Sequence, residues 1–143
     1  MQRVSDLLDH KGRDIWSLTP DKTVFEALEE MAEKHVGALL VMEGERLVGI
    51  FSERDYARKV MLKGKRSRKT LVSEIMSHRV TCVDPELTVD ETMALMTEKR
   101  VRHLPVLVEK KVVGVISIGD VVRAIIEDHE VHIHELTDYI TSG

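Results

Sequence analysis

Cysteine is almost missing from this chain: of its 143 residues only Cys82 is one. A single thiol excludes an intrachain disulfide framework and fits a reducing compartment. It stands in the apolar-alternating stretch "RVTCV", where an inert, half-buried thiol is a simpler reading than a nucleophile. No apolar run reaches the roughly 18 residues that a membrane-spanning helix needs, and the first residues carry no signal-peptide core. The expectation is a cytoplasmic protein with no membrane partner. Excess positive charge is lacking too. The formal net charge is −4, so the basic face of a nucleic-acid binder is not indicated. The one basic run, "KGKRSRK" over 63–69, reads as a solvated linker. Glycine-rich phosphate loops, Cys-x-x-Cys pairs and nucleophile elbows are absent. No positioned acid, base or nucleophile emerges, so the chain does not read as an enzyme.

What the chain does have is a copy of itself. Its 43% apolar and 32% charged residues describe an ordinary folded protein with a well-solvated surface. Sliding the sequence by 65 residues sets Pro20 on Pro85 and keeps register without a gap to Leu62 and Glu127. Of those 43 positions 15 are identical, including Thr23/Thr88, Glu26/Glu91, Met31/Met96, Gly49/Gly114, Ser52/Ser117 and Asp55/Asp120. Such a register is the mark of an internal duplication.

Each copy predicts the same elements. An extended piece ("DIWSL", "RVTCV") enters a turn, "TPDKT" or "DPELT". A helix follows, with Val24, Leu28 and Met31 or Val89, Met93 and Met96 at helical spacing. Thr23 with Glu26 and Thr88 with Glu91 form capping-box patterns at its start. Two strands joined by a tight hairpin come next, "GALLVME" to "RLVGIFS" and "HLPVLVE" to "VVGVIS". A last helix begins at each Ser-x-x-Asp. The expected fold class is α/β (α+β): two β-α-β-β-α repeats packed with pseudo-twofold symmetry. Because ~50 residues cannot bury a sheet alone, the two copies are expected to pack their sheets or helix faces on each other. The expected boundaries are residues 13–64 and 78–129 for the repeats and 65–77 for a linker with a short helix near Leu71 to Met76. Residues 1–14 should only flank the pair, and 130–143 should form a tail with a short helix.

The repeated Ser-x-x-Asp has two readings. As a helix start it is a cap, although this chain uses Glu in its other two capping boxes. As a ligand site it joins a helix N-terminus, with free N–H groups, to a carboxylate. That carboxylate would repel a phosphate but accept hydrogen bonds from two hydroxyls, as an acidic residue does for ribose. The copies differ around it. "SERD" offers Arg54 for a phosphate, whereas "SIGD" has Ile118 and Gly119, the latter allowing only close backbone approach. Gly37-Ala38 in the first copy becomes Arg102-His103 in the second.

The β-α-β-β-α order, the turns "GIFSERD" and "GVISIGD", and "RHLPV" together resemble a tandem pair of cystathionine-β-synthase (CBS) domains, a Bateman module of the stand-alone bacterial or archaeal type. The resemblance runs from about Arg13 to Asp128. It implies a regulatory module that binds AMP, ADP, ATP, an NAD-type dinucleotide or S-adenosylmethionine in two clefts between the domains, with no catalytic cofactor. The first cleft would hold Ser52, Arg54, Asp55 and Ile50, with Arg102, His103 and His78. The second would hold Ser117, Gly119, Asp120 and Val115, with Gly37, Ala38, Arg102, His103 and Arg13. Leu40 departs from the usual apolar-Pro-Val pattern that Pro105 keeps, and the clefts need not share a ligand. The Asp55 cleft is expected to be the better phosphate site, with Arg54, Arg102 and Arg58 converging there.

Two other functions compete. A ligand-independent adaptor would use the same fold only to bind an unknown regulated protein. A small metal-binding protein would use His129, His132 and His134 of "HEVHIH", but His134 points away from a helical pair and no third ligand is evident. With no catalytic domain attached, the module is expected to act as a homodimer, through a partner, or as a ligand buffer. The outer helices "YARKVML" and "VVRAIIE" and the apolar tail residues Val131, Ile133, Leu136 and Ile140 are the docking candidates.

Overall fold

Thr23 and Thr88 start their helices as their spacing predicts. Thr23 Oγ1 accepts the Glu26 backbone N–H at 3.1 Å, and Thr88 Oγ1 accepts that of Glu91 at 3.1 Å. The Glu carboxylates reach back to the Thr backbone N–H groups in return. In the computed structural model, which describes residues 1–129, the order along the chain is α1 (Val4–Lys11), β1 (Ser17–Leu18), α2 (Val24–Lys34), β2 (Ala38–Glu43), β3 (Arg46–Ser52) and α3 (Glu53–Asp55). A π-helical stretch (Tyr56–Met61) extends α3, and a 3-10 turn (Ser67–Lys69) leads to α4 (Val72–Ile75). Then come α5 (Val89–Lys99), β4 (His103–Val108), β5 (Lys111–Ser117) and a helix over 118–129, here α6. The tail expected to form a helix, with His132 and His134, lies outside the described residues.

β2 pairs antiparallel with β3, and β4 with β5, each with a register slip at the same place, Val41/Met42 and Val106/Leu107. Both hairpins close through two residues. Gly44 adopts φ 62° in the first, while Glu109 and Lys110 are both left-handed (φ 49° and 68°) in the second. The second hairpin is thus a primed turn built without glycine, at some conformational cost.

One strand expectation needs correcting. "DIWSL" supplies β1, parallel to β2, but "RVTCV" makes only a single parallel bridge, Val83 with Val106. The departure of Leu40 from Pro105 is the physical reason. Leu40 N–H donates to the Trp16 carbonyl at 3.1 Å. Pro105, its counterpart, has no N–H to donate, so that rung of the ladder cannot form.

The core expectation also needs correcting. The repeats do not share one core by packing sheet on sheet; each has its own. One cluster joins Val24, Ala27, Met31, Leu39, Val41 and Phe51 to Val72, Ile75 and Met76 of the α4 segment. The other joins Val89, Met96, Leu104, Val106 and Ile116 to Val4, Leu7 and Leu8 of α1. Residues 1–14 therefore do more than flank the pair. The helix that precedes each repeat completes the core of the other repeat.

The two docking helices are themselves copies. "VSDLLDHK" (4–11) matches "VSEIMSHR" (72–79) at an offset of 68 rather than 65. Their backbones attach identically. Val4 and Ser5 N–H donate to Leu87 and Pro85, and Val72 and Ser73 N–H donate to Lys22 and Pro20. Glycine is needed where each lands. A Cβ on Gly114 would lie 2.6 Å from Leu8 Cδ2, and one on Gly49 would lie 2.6 Å from Met76 Sδ and 3.0 Å from the Ser77 carbonyl.

Candidate functional site

Both Ser-x-x-Asp turns end a strand and start a helix, and both build the same reciprocal cap. Ser52 Oγ accepts the Asp55 N–H at 3.2 Å, while Asp55 Oδ2 accepts the Ser52 N–H at 3.0 Å. Ser117 and Asp120 repeat this at 3.2 and 2.7 Å. Capping is thus real in both copies. It occupies Oδ2 of each carboxylate and leaves Oδ1 for groups in front of the turn.

In front of each turn lies a cavity. The first, ≈ 480 Å³, is bordered by Ile50, Ser52, Arg54, Asp55, Arg102 and His103. The second, ≈ 390 Å³, is bordered by Gly37, Ala38, His103, Val115, Ser117 and Asp120. Both volumes fall in the range of small-molecule sites, ~300–1,000 Å³. Gly37, Ile50 and His103 border both cavities and so form the wall between them. A Cβ on Gly37 would stand 3.4 Å from His103 Nε2, which keeps this wall thin.

Four expected placements do not match. His78 borders a different, open cavity of ≈ 520 Å³ beside Cys82 and the two hairpin turns. The reason is strand alternation: Ser77 pairs with Ile50 across an antiparallel bridge and faces the first cleft, so its neighbour faces away. Arg13 is exposed and paired with Asp9 at 2.7 Å, whereas Lys11, Gly12 and Asp14 border the second cleft. Gly119 does not border the second cleft, because the carboxylate that faces it comes one residue later in the first turn of α6. Arg102 borders only the first cleft.

Among the bordering residues that sequence reasoning missed are Lys11 and Trp16 on the second cleft and Ser77 and Arg79 on the first. The match at offset 68, which pairs Lys11 with Arg79, is the signal that could have found two of them.

The clefts carry opposite charge. Seven Arg and Lys side chains border the first, Arg54, Arg58, Arg79 and Arg102 among them, against the two acids Glu53 and Asp55. The second has one cation, Lys11, against Asp14 and Asp120. Within the first, Arg54 Nη1 donates to the Arg100 carbonyl at 2.8 Å, and Lys59 lies 3.1 Å from Asp55 Oδ1. Within the second, burial would push the Asp120 carboxyl up, but hydrogen bonds from Lys11 and Ser117 outweigh it and hold the group below the usual carboxylate range. His103 is pushed below its ordinary value, first by burial and then by the charge of Lys11, against the pull of Asp120. It is therefore a neutral imidazole at neutral pH. Burial pushes the Cys82 thiol up, away from thiolate reactivity. Among the described residues no three His, Cys, Asp or Glu groups come together as a metal site, and no helix is long and apolar enough to cross a membrane.

Two duplicated helix-and-hairpin repeats, with a cleft in front of each Ser-x-x-Asp helix start, define a CBS-domain pair. The chain belongs to the CBS domain family, whose model matches residues 4–62 and 72–127. It is 40% identical over 150 residues to CBS domain-containing protein CBSX3, mitochondrial, of Arabidopsis thaliana, covering 98% of this chain and 72% of that protein. CBS domain-containing protein YhcV of Bacillus subtilis is 30% identical, over 82% of this chain and 83% of its own. A crystal structure of a CBS-domain containing protein from Agrobacterium tumefaciens superposes with a TM-score of 0.83 at 39% identity, covering 86% of this chain and 98% of that one. The matched segments begin at α1 and at the end of the basic linker, so the docking helices are integral to the family unit.

Proposed function

We propose that the chain is a cytoplasmic regulatory module that binds adenosyl ligands in two unequal clefts and signals through the arrangement of its repeats. The observation that carries this reading is the pair of cavities, each bordered by an aspartate whose Oδ2 caps the adjoining helix. In this reading Asp55 and Asp120 accept the ribose hydroxyls, as an acidic residue does in dinucleotide folds. The seven cations around the first cleft suit a di- or triphosphate or a dinucleotide. The second cleft, with a single cation and an apolar floor of Leu40, Ile50 and Val115, suits a nucleoside carrying at most one phosphate. The CBS domain pair of protein MJ0100, which shares the fold at 22% identity, was solved with 5′-methylthioadenosine and S-adenosyl-L-methionine. That likeness speaks to fold; the ligand assignment here rests on the cleft residues.

Filling a cleft bridges the repeats and favours one relative arrangement over others. Exposed Met61 and Leu62 on one repeat, and Val122 and Ile126 on the other, support a homodimer of modules stacked through these helices. Calorimetry with AMP, ATP, NAD and adenosine tests the reading. ATP should bind the Asp55 cleft with an affinity that falls steeply with salt, and Asp55→Ala should abolish it. Adenosine or AMP should bind the Asp120 cleft with weak salt dependence and be lost in Asp120→Ala. No heat and no rise in melting temperature with any of these ligands overturns the proposal in favour of a ligand-independent adaptor.

A further inference from the structure

In the second cleft the carboxylate that should meet a ribose is already engaged. Lys11 Nζ lies 2.6 Å from Asp120 Oδ2 and 2.8 Å from the Val115 carbonyl oxygen. The same Oδ2 accepts the Ser117 backbone N–H at 2.7 Å. Oδ1 accepts no hydrogen bond among the described residues. The pair is well shielded, with the Asp120 side chain 12% and the Lys11 side chain 31% exposed. Lys11 comes from α1, 109 residues away in sequence, and nothing local demands the contact.

The first cleft is arranged differently. Its carboxylate meets Lys59, four residues on in the same helical stretch and more exposed at 43%. That lysine meets Oδ1 rather than the capping Oδ2, and it also donates to the Ile75 carbonyl of α4 at 3.1 Å. Lys11 is anchored: Leu7 and Leu8 beside it are buried in the second core, and Leu8 packs over Gly114. A released Lys11 head therefore stays at the cleft.

We propose that Lys11 sets the affinity and selectivity of the Asp120 cleft by competing with the ligand's ribose diol for Asp120 Oδ2. This rests on the ribose reading of Asp120. A diol has two hydroxyl donors, and a carboxylate satisfies both by offering one oxygen to each. Oδ1 is available for one. Oδ2 already accepts a backbone N–H and a lysine N–H, so the second hydroxyl must displace the lysine. Displacement leaves a tethered ammonium ion without its carboxylate in a partly desolvated site, which is unfavourable unless the ligand supplies a negative charge. A nucleoside monophosphate supplies one; a nucleoside does not. Lys11 thereby makes the cleft prefer AMP over adenosine, although the cleft as a whole has little positive charge.

The test places Lys11→Met and Lys11→Gln, which keep most of the side-chain stem, in an Asp55→Ala background that silences the first cleft. Adenosine and AMP are titrated by calorimetry after melting curves establish that each variant is folded. Both substitutions should tighten adenosine binding by about 5-fold or more, on the scale of an ion pair of this exposure, and erase the preference for AMP. Unchanged or weaker adenosine binding in both variants, with binding still lost in Asp120→Ala, overturns the role of Lys11 alone. No binding of either ligand by any variant overturns it together with the ribose reading.

Discussion

The two halves of this module share a fold and differ in what they present. Both repeats use the same caps, the same strand register and the same glycine beneath a docking helix. Around the clefts the resemblance ends: one is ringed by cations and the other carries a single lysine held by an aspartate. Duplication has preserved the residues that build the scaffold, while residues that face the cavities have diverged. Glycine, serine and aspartate are retained twice because each has a structural duty. Gly49 and Gly114 admit the docking helices, Ser52 and Ser117 cap, and Asp55 and Asp120 cap through one oxygen. The variable positions within the same turns, Arg54 against Gly119, are free of those duties.

The largest effects should come from the docking helices. Leu8→Ala and Met76→Ala each remove a buried side chain and should cost about 2–5 kcal/mol by chemical denaturation. Their location should differ. Hydrogen exchange should show repeat 2 loosened by Leu8→Ala and repeat 1 by Met76→Ala, as the separate cores require. Equal loosening of both repeats by either change would break that picture.

Smaller losses, ~1–3 kcal/mol, are expected for Gly49→Ala and Gly114→Ala. Here the copies should separate. The new methyl at 114 meets only the end of the Leu8 side chain, which can turn aside. At 49 it also meets the Ser77 backbone carbonyl at 3.0 Å. Gly49→Ala should therefore be the costlier, and the reverse order would show that the two landings are not equivalent.

The smallest effect concerns the wall between the clefts. NMR titration should find His103 neutral at pH 7 and protonating below its ordinary value of 6.5. Lys11→Met should move that value up and Asp120→Asn should move it down, since one charge opposes the imidazolium and the other favours it. As pH falls below about 6.5 the unfolded chain takes the proton first. His103 therefore withdraws stability on acidification down through its folded value, and none above that window.

Much of this was written in local sequence. The capping boxes, the hairpins and the α2 and α5 faces follow from spacings of two to four residues, and the repeat register exposes the paired turns. Legibility fails where partners are distant. The Lys11–Asp120 pair spans 109 residues and leaves no periodic signal. The docking helices are only eight and four residues long. Their match sits three residues out of the main register, so a gap-free comparison passes over it. The exchange of helices between repeats is a choice of partner, which amphipathicity alone cannot specify. The missing strand in the second copy was closer to legible, since Pro105 could have been read as the loss of a donor rather than as a family pattern.

The attachment of α1 to the far repeat has a consequence for how the protein is made. Arg3 and its partner Glu86 are separated by 83 residues. α1 therefore leaves the ribosome well before the surface on which it packs. At ~5–20 residues per second it waits roughly 6–23 s, with Val4, Leu7 and Leu8 bare, until Ala124 completes the core that covers them. The first repeat must wait as well, until α4 is synthesised. Repeat 1 can close once Met76 is made, whereas repeat 2 needs Ala124, so translation order has the first repeat mature before the second.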